Sequence, residues 1–123
     1  MLLYEELTYK IRAALYNVHN QLGPVHKETV YQRALEKEFK VQNIPYKSQP
    51  PLEVRYRGSL VGVYRPDFLI DEKVILEIKS LPSLPRTFSE QLGQYLKTTG
   101  YRLGLLVNFG SNRLQVRRRI YGW

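Results

Sequence analysis

The sequence predicts an α/β (α+β) fold, a mixed β-sheet with helices, its elements in the order ααβββαββ. Three observations carry this prediction. Apolar residues recur at helical spacing over residues 4–42, the period changes to alternation from residue 46, and an apolar strand follows a third helical pattern near the C-terminal end.

Ile11, Ala14, Leu15, Val18 and Leu22 define an amphipathic helix over roughly residues 4–20, ended by Gly23-Pro24. A second helix, over about 26–42, places Tyr31, Ala34, Leu35 and Phe39 on one face and Lys37, Glu38 and Lys40 towards solvent. Asn43 and Pro45 close it.

Residues 46–57 alternate in their second half, with Leu52, Val54 and Tyr56 against Glu53, Arg55 and Arg57. Their two prolines mark an edge strand or a late start. Gly58 supplies a turn, 59–70 is the hairpin partner, Asp71-Glu72 is a tight connection, and 73–79 is apolar enough to be central. These three strands form a meander. After the loop SLPSLPRT, Phe88, Leu92, Tyr95 and Leu96 mark the third helix, which Gly100 terminates. YRLGLLVNF is then a buried strand, and RLQVRRRIY an alternating, strongly basic one.

The 123 residues are expected to form one domain, 1–123, with one core. Nineteen Lys and Arg against eleven Asp and Glu give a net charge of +8, which favours either a polyanionic partner such as nucleic acid or simple solubility. The absence of cysteine excludes a disulfide framework, a zinc ribbon and a thiol nucleophile, so a bound metal would need oxygen or histidine ligands. The opening residues have neither a signal-peptide core nor a membrane span, and a cytoplasmic protein is expected.

Charge placement is the unusual feature. Side chains alternate across a strand, so Glu77 and Lys79 share one face of the third strand and Leu76 and Ile78 the other. The short turn at Asp71-Glu72 brings Asp67 opposite residues near 76. Taken alone, an acid and a lysine two apart in a strand are most often a salt bridge at its end. With Asp67 added, two carboxylates and an ammonium converge, and a hard cation such as Mg²⁺ or Mn²⁺ relieves the carboxylate repulsion. Glu28, three residues before Tyr31, falls on the inward face of the second helix, although the helix macrodipole alone favours an acid there. Gln91 lies on or beside the apolar stripe of the third helix, where a satisfied core amide is the simpler reading. His19 and His26 lack a recognised ligand spacing: His19 is read as a helix-end residue and His26 as a neighbour of the site.

Pro66-Asp67 followed by Glu77-Ile78-Lys79 resembles the core motif of the PD-(D/E)XK nuclease superfamily. More of the chain is similar to its GxxExxY branch: HNQLGP at 19–24, Glu28 and Tyr31 as ExxY, IPYKSQPPLEVRYRG at 44–58, QLGQYLKTTG at 91–100 and GLLVNFG at 104–110. Val25 stands where the branch has its first motif glycine, and Lys27 replaces a residue that is usually apolar. The resemblance implies a restriction-endonuclease-like core with a central mixed sheet flanked by helices. It also implies metal ligation by Asp67, Glu77 and the carbonyl of Ile78, with Glu28 supporting a metal-bound water or a second metal and Gln91 orienting the site. In that arrangement Lys79 either orients and helps deprotonate the attacking water or neutralises transition-state charge.

Arg113, Arg117, Arg118 and Arg119, with Arg55, Arg57 and Arg65 on the hairpin, are the candidate phosphate contacts, and their alternative role is to protect an edge strand by charge. Three functions follow: a Mg²⁺- or Mn²⁺-dependent nuclease acting on DNA, a nucleic-acid-binding module that keeps the fold without turnover, or a tyrosine-rich interaction protein that forms a homodimer.

Overall fold

Three prolines decide how the hairpin folds. The computed structural model describes residues 3–122. It contains α1 (Glu5–Leu22), α2 (Glu28–Val41), β1 (Tyr46–Ser48), β2 (Leu52–Tyr56), β3 (Ser59–Tyr64), β4 (Phe68–Ile70), β5 (Val74–Lys79), α3 (Arg86–Thr99), β6 (Leu103–Asn108) and β7 (Gln115–Ile120). The helices and the last two strands match the expectation, with α1 running two residues further and α2 starting two residues later.

The predicted strands 46–57 and 59–70 are each divided in two. Pro50 and Pro51 on one strand and Pro66 on the other have no N–H to donate, and Gln49 turns left-handed at φ 49°, so the ladder breaks on both sides at the same level. Its register nevertheless continues. The pairs Tyr46↔Ile70 and Ser48↔Phe68, stepped onward, reach Leu52↔Tyr64. The far half, β2–β3, is a separate two-stranded ribbon closed by Arg57-Gly58, whose φ values of 50° and 80° suit a type I′ turn. The near half joins a five-stranded sheet in the order β1-β4-β5-β6-β7. The meander is therefore β1, β4 and β5, and β5 is central as expected.

β5 and β6 run parallel, with α3 as the crossover, and all other pairings in this sheet are antiparallel. Burial follows from parity along β5. Val74, Leu76 and Ile78 join Ile11, Leu15, Leu35 and Phe39 in a core beneath α1 and α2. Ile75 faces the other way, into a second core with Leu69, Leu92, Leu96 and Leu106 beneath α3. The result is a sheet between two helical layers, with Glu77 and Lys79 on the α3 side. Among the described residues no helix is long and apolar enough to cross a membrane.

Candidate active site

Continuing the β4–β5 register one step past Phe68↔Leu76 sets Asp67 directly opposite Glu77. Each carboxylate is held by the other residue's strand. Glu77 Oε1 accepts from the Asp67 N–H at 2.9 Å, and Asp67 Oδ2 accepts from the Ile78 N–H at 2.7 Å. The broken ladder makes this exchange available. The Gln49 N–H still donates to the Asp67 carbonyl at 3.1 Å, but the Asp67 N–H, released from its partner strand, turns to Glu77. Gln32 Nε2, one turn along α2 from Glu28, donates to the same carbonyl at 3.0 Å. Asp67 is thus fixed by α2, β1 and β5 together.

One oxygen of each carboxylate is left without a backbone donor, Asp67 Oδ1 and Glu77 Oε2, and the Tyr64 hydroxyl is the neighbour that Glu77 feels. Burial, then repulsion from Asp67, pushes the Glu77 carboxyl up to about 7, against the opposing pull of the Asp67 N–H, Lys79 and Tyr64. Burial likewise raises Asp67, opposed by the Ile78 N–H and by Lys79.

The simple strand-end salt bridge does not form. Among the described residues Lys79 makes no ion pair within 4.0 Å of either acid. Its Nζ instead lies 4.3 Å from the centroid of the Phe88 ring, on the first turns of α3. An ammonium poised beside two carboxylates but bonded to neither remains available to a ligand.

Two expected positions are corrected. Glu28 is not buried on the inward face; it is the first residue of α2 and stands exposed at the rim. It remains close enough to feel the cluster: partial burial raises its carboxyl, Lys79 pulls against this, and Asp67 adds a smaller push. Gln91 is exposed and makes no side-chain hydrogen bond among the described residues, because the buried stripe of α3 runs through Leu92 and Leu96 instead. His26 does neighbour the site through its backbone, its carbonyl accepting from Ser80 Oγ at 2.7 Å, whereas buried His19 meets the Ser111 carbonyl at 3.0 Å.

Asn108 and Tyr64 were not singled out from sequence, and Tyr31 was, as an inward residue and a motif position. Asn108 is fully buried at the end of β6, in register with Lys79. Its Oδ1 accepts from the N–H groups of Leu81 and Gly110, and its Nδ2 donates to the Leu81 carbonyl and Gln115 Oε1. It clamps the loop that leaves Lys79, and Gly110 packs so tightly on that loop that a Cβ would stand 2.3 Å from Leu81 N. A lone Asn in the apolar run GLLVNF was the available signal. Tyr31, fully buried and stacked on Phe109 at 4.4 Å, donates to the Gly23 carbonyl and accepts from the His26 N–H, fixing the entry to α2. Tyr64 stacks on Tyr95 at 3.7 Å, and its buried hydroxyl, without a hydrogen-bond partner within 3.5 Å, is held protonated by burial and by nearby Glu77.

The candidate arginines divide. Arg55 pairs with Glu53 at 2.9 Å, Arg57 lies over the Tyr56 ring, and Arg65 Nη1 meets the Gln49 carbonyl at 3.5 Å, all on the exposed ribbon. Arg113 is exposed in the loop before β7, and Arg118 Nη2 donates to the Leu3 carbonyl at 3.0 Å.

A metal fits the donor set in part. Two half-buried carboxylates, each with an oxygen free of backbone donors, suit a hard cation, but among the described residues no three acidic or histidine side chains group closely enough to hold one unaided. Asp67 and Glu77 would need a further oxygen, and the Ile78 carbonyl is adjacent.

Comparison with known proteins agrees with this fold. The crystal structure of SSO0001 superposes with a TM-score of 0.58 at 22% sequence identity, over 78% of this chain and 51% of that one. The likeness is one of fold, and the chain spans about half the length of that protein. No curated protein matches. The family model of the PD-(D/E)XK nuclease superfamily matches residues 5–120, and the chain belongs to that superfamily.

Proposed function

We propose that the protein is a divalent-metal-dependent nuclease that hydrolyses phosphodiester bonds in DNA, as a cytoplasmic member of the GxxExxY branch. The observation that carries this reading is the opposed pair Asp67 and Glu77, each with an uncommitted oxygen, beside a Lys79 that is bonded to neither.

Asp67 and Glu77 would hold the ion, Mg²⁺ or Mn²⁺, with the Ile78 carbonyl. When bound, the ion supplies charge neutralisation at the phosphate and lowers the pKa of a coordinated water. The chain's own residues do the rest. Glu77 and Asp67, pinned by each other's strands, present their free oxygens without reorganising. Lys79, resting on Phe88, offers its ammonium to the phosphate oxygens that gain charge or to the attacking water. Glu28 borders the site from the rim, and the exposed Gln91 would orient substrate from α3. Phosphate contacts from the arginines give salt-dependent affinity with little sequence preference.

Purified protein with Mg²⁺ or Mn²⁺ is tested on single- and double-stranded DNA and RNA, beside Asp67→Ala and Lys79→Ala. Cleavage that both substitutions abolish is the expected result. If the unaltered protein cuts no substrate and Lys79→Ala behaves identically, the reading is wrong.

A second reading, a binding module without turnover, is favoured by the net charge of +8 and by Val25 at a motif position. Salt-dependent DNA binding with no metal uptake by calorimetry would establish it. A homodimer through tyrosine-rich surface, where Tyr9, Tyr16 and Tyr56 are exposed, is tested by light scattering at high concentration, and a monomer there removes it.

A further inference from the structure

Register separates the basic residues that can act together from those that cannot. Arg117 pairs with Leu106, and Leu106 pairs with Glu77, so Arg117 lies in the same cross-strand row as Glu77 and on the same face. Two strand spacings, about 10 Å, separate them. Arg119, two residues on, shares that face, and its guanidinium lies against α3 so closely that a Cβ on Gly93 would stand 2.6 Å from Nη2. Arg118 alternates to the other face, where Leu3 engages it.

Arg86, Ser89 and Glu90 of α3 and Arg117, Arg118 and Arg119 of β7 line a cleft of about 490 Å³. Among the described residues Arg86, Arg117 and Arg119 make no ion pair, with Glu90 or any other acid. Three guanidinium groups against one carboxylate leave the cleft cationic. Protecting an edge strand needs charge on β7 alone. It does not need Arg86 brought across from a helix, nor a glycine that makes room for Arg119.

We infer that this cleft is a second phosphate subsite, which holds a backbone phosphate of the nucleic acid whose scissile phosphate lies at Asp67, Glu77 and Lys79. The inference rests on the nuclease reading above. α3, roughly 10 Å across, stands between the two sites. Its Phe88 meets Lys79 on one flank, while Ser89 and Gly93 line β7 on the other. A strand engaged at both sites passes over the first turns of α3. Guanidinium groups suit the task because each can give two parallel hydrogen bonds to a phosphate.

The full chain is titrated in EDTA against a fluorescein-labelled oligonucleotide, single- and double-stranded, over a range of salt concentrations. Each arginine lost from the cleft flattens the slope of log K against log salt by roughly 0.7–0.9, so Arg117→Ala/Arg119→Ala loses about twice that. Gly93→Ala keeps every charge but occupies the place of the Arg119 guanidinium, and it weakens binding about as much as Arg119→Ala. Lys10→Ala, exposed on α1 behind the sheet, leaves the slope unchanged. With metal restored, bis(p-nitrophenyl) phosphate, too short to span both sites, is hydrolysed equally by the unaltered protein and the double variant. Equal slopes for these two proteins, or the same loss in Lys10→Ala, overturn the subsite while oligonucleotide cleavage keeps the nuclease reading. If the unaltered protein neither binds nor cuts, both fall together.

Discussion

Replacing Glu77 with Gln is expected to stabilise the metal-free protein. The Glu77 carboxyl is pushed from 4.5 to about 7, mainly by burial and then by Asp67. Because the folded value lies above the unfolded one, its contribution to stability is fully present below pH 4.5 and is lost as pH rises through about 7. At pH 8.5 the folded state carries a charge it disfavours. At about 1.4 kcal/mol per pH unit, the shift corresponds to a cost of about 3 kcal/mol. Glutamine keeps the carbonyl oxygen that accepts from the Asp67 N–H but carries no charge, so most of this cost disappears.

Thermal unfolding in EDTA at pH 4 and pH 8.5 measures the difference. At roughly 4 °C per kcal/mol for a chain of this size, Glu77→Gln melts about 10 °C above the unaltered protein at pH 8.5, and the gap closes towards pH 4. Added Mn²⁺ then raises the melting temperature of the unaltered protein but not of the variant, by ligand linkage. A variant that melts at or below the unaltered protein at pH 8.5, or a gap independent of pH, refutes the claim that Glu77 is a strained, desolvated carboxylate.

Phe88→Ala removes the ring under Lys79, and a loss of about 1–2 kcal/mol in kcat/KM, roughly tenfold, is expected, measured well below a melting temperature that itself falls because the half-buried ring packs on the second core; Phe88→Leu keeps most of that packing but not the activity, and Phe88→Trp restores activity. Tyr64→Phe deletes a buried hydroxyl whose geometry makes no full hydrogen bond but which favours the charged form of Glu77, so urea unfolding at pH 8.5 shows a loss of no more than about 1 kcal/mol, and the loss disappears in a Glu77→Gln background. Asn108→Ala strands the Leu81 N–H and carbonyl in the interior, and urea unfolding shows a loss of about 3 kcal/mol. Its activity falls further than that of equally destabilised core variants, because the released loop begins directly after Lys79.

The acidic cluster was legible because parity along β5 and one short turn are local properties. Alternation placed Glu77 and Lys79 on one face, and the turn at Asp71-Glu72, with φ values of 51° and 56°, fixed Asp67 across from Glu77. Gln91 and Glu28 were placed by helical spacing, which locates a stripe to within about one residue in its turn. A rotation of that size separates buried Leu92 from exposed Gln91. Gln32 and Tyr64 act through partners 35 and 13 residues away, which nothing local marks, and Asn108 was marked only by its place in an apolar run.

The division of the hairpin and the construction of the site are one event. In an unbroken ladder Gln49 and Asp67 would exchange two backbone hydrogen bonds. The chain keeps one, Gln49 N–H to the Asp67 carbonyl, and gives up the other, so that the Asp67 N–H meets Glu77 Oε1. Gln49 takes a left-handed backbone and its carbonyl turns to Arg65. Pro51 forbids the next rung, since at the hydrogen-bonded position opposite Arg65 it has no N–H to donate. The carboxylates are therefore held by backbone donors, while the side-chain ammonium beside them stays uncommitted. A sheet that had kept its full ladder would have been more regular, with the Asp67 N–H spent on Gln49 and Glu77 left without the donor that orients it.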